Sequence, residues 1–220
     1  MRIGIYLYPE VEVLDVAGPF EVFTTANRVA NRLAKSEHGS EQVPAPFEVC
    51  LLANQPGVVA ARAGFPMTAA LGFDDCPALD LLLLPGGYHL DAMQDPALRA
   101  FIQQHAATQG QIACVCTGVF LLAQALPQLA VPVTTHWEDQ AELAQLFPAL
   151  TVQREVRYLH ASWPQPPTAA VNTLQLWSSG GISAGIDLSL ELVAHFASDA
   201  LAVATARQME FRWCREPQRG

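Results

Sequence analysis

Basic charge is scarce in this chain: 12 Lys and Arg stand against 21 Asp and Glu in 220 residues, a formal net charge of −9. A surface that tracks a phosphate backbone depends on many Lys and Arg contacts, so this balance argues against nucleic-acid recognition and leaves small molecules or proteins as partners. Long apolar runs are missing too. Although 51% of the residues are hydrophobic, none of the runs reaches the roughly 18 residues that cross a bilayer. Met1-Arg2 leads straight into a strand, and no secretory leader is expected. No membrane partner is expected. Cysteines are few and irregular: Cys50, Cys76, Cys114, Cys116 and Cys214 form an odd set without framework spacing. That pattern fits a soluble protein of the reducing cytoplasm. No second Cys or His pair stands at ligand spacing near Cys114-x-Cys116, so no metal site is expected. Internal repeats and dividing linkers are absent, and residues 1–212 are read as one domain with a polar tail over 213–220.

What is present alternates between strand and helix. Apolar runs at residues 2–8, 47–53, 79–84 and 111–115 read as strands, with weaker strand signals at 58–62 and 66–69. Helices are expected from about Ala17, where Gly18-Pro19 suits a first turn, over 96–108, from about Val119, over 138–146, over 188–197 and over 201–212. A strand is expected over 150–158, while 31–46 and 159–175 read as irregular excursions. The alternation implies an α/β protein with a largely parallel sheet, helices on both faces and ligands at the carboxyl ends of the strands.

Cys116 is the strongest candidate for chemistry. The apolar strand Gln111–Val115 passes into a helical pattern carrying Val119, Leu122 and Ala123 on one face, with only Cys116-Thr117-Gly118 left for the turn. Such a bend is a nucleophile elbow, with helix N-terminal amides close enough to favour a thiolate. A partly exposed, low-pKa cysteine is what covalent catalysis uses. The competing reading is a buried, inert cysteine, and Cys114, deeper in the strand, is read that way. Asp15 and Glu21 in Asp15-x-x-Gly18-Pro19-x-Glu21 sit near a helix start, where carboxylates stabilise helices generically. Gly86-Gly87 after a strand is either a plain turn or an amide donor to a developing anion. His136 is a base, a pocket wall or a half-buried structural histidine. Gly180–Asp187 lacks the Lys-Ser/Thr ending of a P-loop and the dinucleotide spacing, and reads as structure.

Taken together, Asp15-x-x-Gly18-Pro19-x-Glu21, Leu84-Pro85-Gly86-Gly87, Val115-Cys116-Thr117-Gly118, Thr134-Thr135-His136-Trp137 and Ser179–Asp187 resemble the ThiJ/PfpI superfamily, most of all its isonitrile hydratase branch. The resemblance implies a flavodoxin-like sandwich and a homodimer without a cofactor. It also implies a nucleophilic Cys116, Asp15 as its acid–base partner and the amides of Gly87 and Thr117 as anion-stabilising donors. Thr117 stands where peptidase-like members have histidine, and Gly185-Ile186-Asp187 lacks the late His-x-Glu of amidotransferases. The expected reaction is therefore hydration of a small, uncharged carbon electrophile, an isonitrile going to an N-substituted formamide. Gly86, Tyr88, His136 and Trp137 would wall the pocket. Two further readings share these residues: a small-molecule or thiol-sensing domain like the N-terminal part of AraC-type regulators, and a glyoxalase-like activity on dicarbonyls.

Overall fold

A computed structural model describes residues 1–38 and 44–215. Along the chain run β1 (Arg2–Tyr6), α1 (Val13–His38), β2 (Glu48–Leu52), β3 (Gly57–Ala60), β4 (Pro66–Ala69), β5 (Leu81–Leu84), α2 (Leu90–Gln94) and α3 (Pro96–Thr108). Then follow β6 (Gln111–Val115), α4 (Gly118–Ala125), β7 (Pro132–Val133), α5 (Gln140–Leu146), β8 (Thr151–Val152), β9 (Tyr158–Pro164), β10 (Thr173–Ser179), α6 (Ala184–Phe196) and α7 (Asp199–Gln208).

Six strands form one sheet in the order β2-β1-β5-β6-β10-β9. All its neighbours are parallel except the antiparallel pair β9 and β10. Continuous apolar strands belong in such an interior because both their faces are covered, and all four leucines of β5 are fully buried. Helices flank the sheet in two groups: α1 packs with α6 and α7, and α3 and α2 pack with α4. This is the flavodoxin-like arrangement. Connections from β1 and from β5 leave in opposite directions across the sheet, so a crevice opens at the carboxyl ends of the central strands. Among the described residues, no helix is long and apolar enough to cross a membrane.

Several boundaries differ from the sequence reading. Helix α1 starts at Val13, ahead of Gly18-Pro19, and carries Pro19 inside it. Asp15 therefore lies within its first turn. The same helix runs on to His38, so residues 31–38 of the expected excursion are helical, and 39–43 lie outside the described residues. The expected strand 150–158 is broken by Glu155 at φ 57° into β8 and the start of β9. Residues 159–175 are largely the β9–β10 hairpin. Their prolines obscured it, yet Pro164 ends an edge strand, where no ladder donor is lost. The short helix α2 had not been anticipated. Of the tail, residues 213–215 are described and 216–220 lie outside; Trp213 packs against the core.

Candidate active site

With β6 ending at Val115 and α4 starting at Gly118, Cys116 and Thr117 alone turn the chain. Cys116 takes φ 56°, a left-handed conformation that costs a residue with a Cβ about 1–2 kcal/mol. Its backbone is pinned at both ends. The Cys116 amide donates to Gly180 O at 3.2 Å, and the Thr135 hydroxyl donates to Cys116 O at 2.8 Å. Below the bend, Gly118 lies so close to the Leu84 carbonyl that a Cβ would overlap it. A Cβ on Gly86 would come 2.5 Å from Thr117 N and 2.7 Å from Cys116 Cβ. Three motifs far from it in sequence thus brace Cys116.

Asp15 is fully buried in the first turn of α1. The Gly86 amide donates to its Oδ2 at 2.9 Å, and the Cys116 thiol and the Ile182 amide also face the carboxyl. Burial, aided by the charge of Glu12, pushes the carboxyl up to about 7, against the opposing pull of the Gly86 amide, the Cys116 thiol and the Ile182 amide. Cys116 is 8% exposed. Burial first, then the charges of Asp15 and Asp139, hold its thiol far above the usual range, and the amides of Thr117 and Ile182 only partly offset them. The expected partly exposed, low-pKa cysteine is therefore corrected. Desolvation of a thiolate and a facing carboxylate outweigh the dipoles at the start of a two-turn helix. At rest the pair is a protonated thiol beside a carboxyl that titrates near neutrality.

The Gly87 amide donates to the Thr117 hydroxyl at 3.0 Å, and that hydroxyl donates back to Gly87 O at 3.1 Å. Presenting this amide to a ligand requires the hydroxyl to turn away. A cavity of about 430 Å³ opens over Cys116 and Thr117. Tyr88 and His136 line it, with the His136 ring seated where a Cβ on Gly181 would be. Gly86 lies beneath, bonded to Asp15, and Trp137 is 73% exposed, outside the lining. Glu21 instead accepts from Thr25 and pairs with Arg28 at 2.8 Å.

Residues not singled out from sequence also reach the site: Glu12, His89, Asp139 and Ile182 line the cavity. Ile182 sits at φ 54°, and its amide acts on both Asp15 and Cys116. It falls in the glycine-rich segment read as purely structural. A donor that belongs to the backbone leaves no side-chain signature. Among the described residues, no group of three His, Cys, Asp or Glu is placed to hold a metal ion.

Comparison with known proteins extends this picture. The model of the DJ-1/PfpI family matches residues 1–195. Isonitrile hydratase of Pseudomonas putida is 28% identical over 212 residues, which is 96% of this chain and 78% of that protein. The HTH-type transcriptional regulator GbdR of Pseudomonas aeruginosa is 23% identical over 216 residues, 98% of this chain but 52% of the regulator. Among solved structures, a ThiJ/PfpI family protein from Pseudomonas syringae superposes with a TM-score of 0.73 at 23% identity, covering 98% of this chain and 76% of that one.

Proposed function

Because the chain belongs to the DJ-1/PfpI family, we propose that it is a cysteine-dependent hydratase, with Cys116 as nucleophile at an elbow and Asp15 as acid–base partner. The reading includes action in the cytoplasm as a homodimer. Its main support is the pairing of a fully buried carboxyl with a cysteine held at φ 56° on the floor of a cavity. A carboxylate that titrates near 7 can take the thiol proton as the sulfur attacks and return it afterwards.

With an isonitrile as model substrate, Sγ bonds to the terminal carbon while the thiol proton passes to Asp15 and from there to the same carbon. The product is a thioimidate on Cys116. Water then adds across the C=N bond, its hydroxyl going to carbon and its proton, through Asp15, to nitrogen. Collapse breaks the C–S bond, frees the N-substituted formamide and returns the hydroxyl proton to the thiol. The amides of Thr117 and Ile182, which already favour charge on the Cys116 sulfur, steady the negative charge that builds during attack. Gly87 joins them once the Thr117 hydroxyl turns away.

The test is conversion of cyclohexyl isonitrile to N-cyclohexylformamide, with methylglyoxal as the competing substrate and products identified. Cys116→Ala should abolish turnover, and Asp15→Asn should lower kcat by about 10²–10⁴-fold. In the parent, kcat/KM should rise with pH through about 7 as Asp15 ionises, and the variant should lose that limb. Formamide produced at the parent rate by either variant would refute the assignment, and lactate from methylglyoxal would favour glyoxalase chemistry.

Similarity to the regulator GbdR over 98% of this chain supports a second reading, a small-molecule-binding domain without turnover. The buried, protonated Cys116 speaks against its peroxide-sensing form, which needs an accessible thiolate.

A further inference from the structure

Tyr8 is a buried titratable residue beside the site that the mechanism leaves unused. It follows β1, is only 2% exposed and stands outside the lining of the cavity, so it touches neither substrate nor the water that enters there. Its ring is held in place by a stack. Tyr8 lies on Tyr6 with 5.6 Å between ring centroids, Tyr6 on Phe73 at 5.7 Å and Phe73 on Phe101 at 4.3 Å. Tyr6 is anchored in turn by its hydroxyl, which donates to Asn54 at 3.0 Å. A phenol fixed this deep needs a partner for its polar end. The Tyr8 hydroxyl donates to Pro85 O at 3.3 Å.

That carbonyl and the amide of Gly86 belong to one peptide unit, which is trans, so the two groups point in opposite directions. One end of the unit accepts from Tyr8, and the other donates to Asp15 Oδ2 at 2.9 Å. Phenol, carbonyl, amide and carboxylate thus form a chain in which each hydrogen bond polarises the next. The chain also fixes a direction. Rotating the peptide so that its N–H left Asp15 would aim a carbonyl oxygen at the carboxylate and take the acceptor from Tyr8. The next peptide is clamped in the same way, because Gly86 O accepts from the Glu12 amide at 2.9 Å and the Gly87 amide donates to Thr117.

We propose that Tyr8 is a positioning residue of the site, which holds and polarises the Pro85–Gly86 peptide so that its amide supports the ionised form of Asp15. This rests on the reading of Asp15 as the acid–base partner of Cys116. Three titratable groups face the carboxyl or its peptide: Glu12, Cys116 and Tyr8 itself. Burial and the charge of Glu12 oppose ionisation of Asp15, and the Gly86 amide is the largest influence in its favour, ahead of the Cys116 thiol and the Ile182 amide. Tyr8 therefore acts through the bond that matters most to the carboxylate. Burial, then the charges of Asp15 and Cys116, push the phenol well above its ordinary range, so it stays protonated and remains a donor while Asp15 titrates.

The test is a carbon-13 NMR titration of the Asp15 carboxyl in the parent, in Tyr8→Phe and in protein with difluorotyrosine placed at position 8. Tyr8→Phe removes one oxygen and keeps the ring in its stack. Cooperative strengthening of about 10–30% per bond, over a contact that is long for a hydroxyl, sets the size of the effect. The Asp15 midpoint should rise by about 0.3–0.5 pH unit, roughly a two- to threefold gain in proton affinity. The fluorinated phenol is more acidic and donates more strongly, so it should move the midpoint down. A change in packing alone has no reason to give opposite signs. An unchanged or lower midpoint in Tyr8→Phe, or shifts of the same sign in the two proteins, would overturn the role of Tyr8. If Tyr8→Phe does not fold, the fluorinated protein decides by itself, and a midpoint at or above the parent's would overturn it. Rates with cyclohexyl isonitrile separate this from the assignment of Asp15. Where the rising limb of kcat/KM follows the midpoint, both stand; a midpoint that moves without the limb would overturn the acid–base role of Asp15 and leave the hold of Tyr8 on the peptide intact.

Discussion

In the proposed mechanism, Asp15 is where stability and chemistry oppose each other. A carboxyl raised from 3.8 to about 7 binds its proton more tightly in the folded chain than in the unfolded one. Its burial costs nothing below about pH 4, where both states are protonated. The cost grows as pH rises and is complete above about 7, reaching roughly 4 kcal/mol at 1.36 kcal/mol per pKa unit. Asp15→Asn keeps an oxygen for the Gly86 amide and carries no charge. The variant should therefore match the parent at pH 4 and be more stable by up to roughly 4 kcal/mol at pH 8. Denaturant melts at the two pH values decide this, and a variant no more stable at pH 8 would mean the carboxylate is solvated in the native state. Loss of activity with a gain of stability is the usual signature of a strained catalytic group. Of the carboxylates in Asp15-x-x-Gly18-Pro19-x-Glu21, spacing alone could not say which turns inward. Helix α1 buries Asp15 and points Glu21 at Arg28.

At the scale of elements, the junction of β6 and α4 depends on how closely α4 approaches the end of β5. Gly118 permits that approach, because its Cα rides on the Leu84 carbonyl. Gly118→Ala must push either the helix or a central strand, and backbone cannot swing aside as a long side chain can. A cost of about 3 kcal/mol is expected, a fall in Tm of roughly 6–12 °C for a chain of this size. An unchanged Tm would show that α4 can lift off β5, and the support of Cys116 would then need another source. The strand and helix on either side of this junction were plain in sequence because each has its own period. The start of α1 was less so. Gly18-Pro19 looks like a helix entry, but Gly18 is used to bring α1 close to Ile186, whose Cγ1 lies 3.0 Å from where a Cβ would be. A glycine that serves packing and one that marks a boundary are the same letter.

Over the whole molecule, Asp187 ties the last described segment to the body. It is fully buried at the start of α6, pairs with Arg157 through Oδ2 and accepts from the Cys214 amide through Oδ1 at 2.7 Å. Arg215 continues the attachment to Glu191 and Asp199. Removing one side of a buried pair is costly because the partner keeps its desolvation penalty, so Asp187→Ala should destabilise by about 3 kcal/mol. Hydrogen exchange should show residues 211–215 losing protection before the sheet does, and protection unchanged at Cys214 would exclude the tether. In the sequence this aspartate closes the glycine-rich segment and the tail reads as merely polar. The two meet only because α6 turns the chain back.

The sequence by itself determined the strand-helix alternation, the parallel interior strands and the bend at Cys116. Each of these is local, fixed by apolar periodicity or by the lack of room for a linker. Tertiary structure decided the protonation of the Cys116–Asp15 pair and the charge of the cavity wall. Asp15 and Gly86 lie 71 positions apart, and Glu12, Asp139 and Ile182 come from three different parts of the chain. A pKa depends on how much water is removed and which charges stand nearby in space, quantities that exist only once the sheet has assembled.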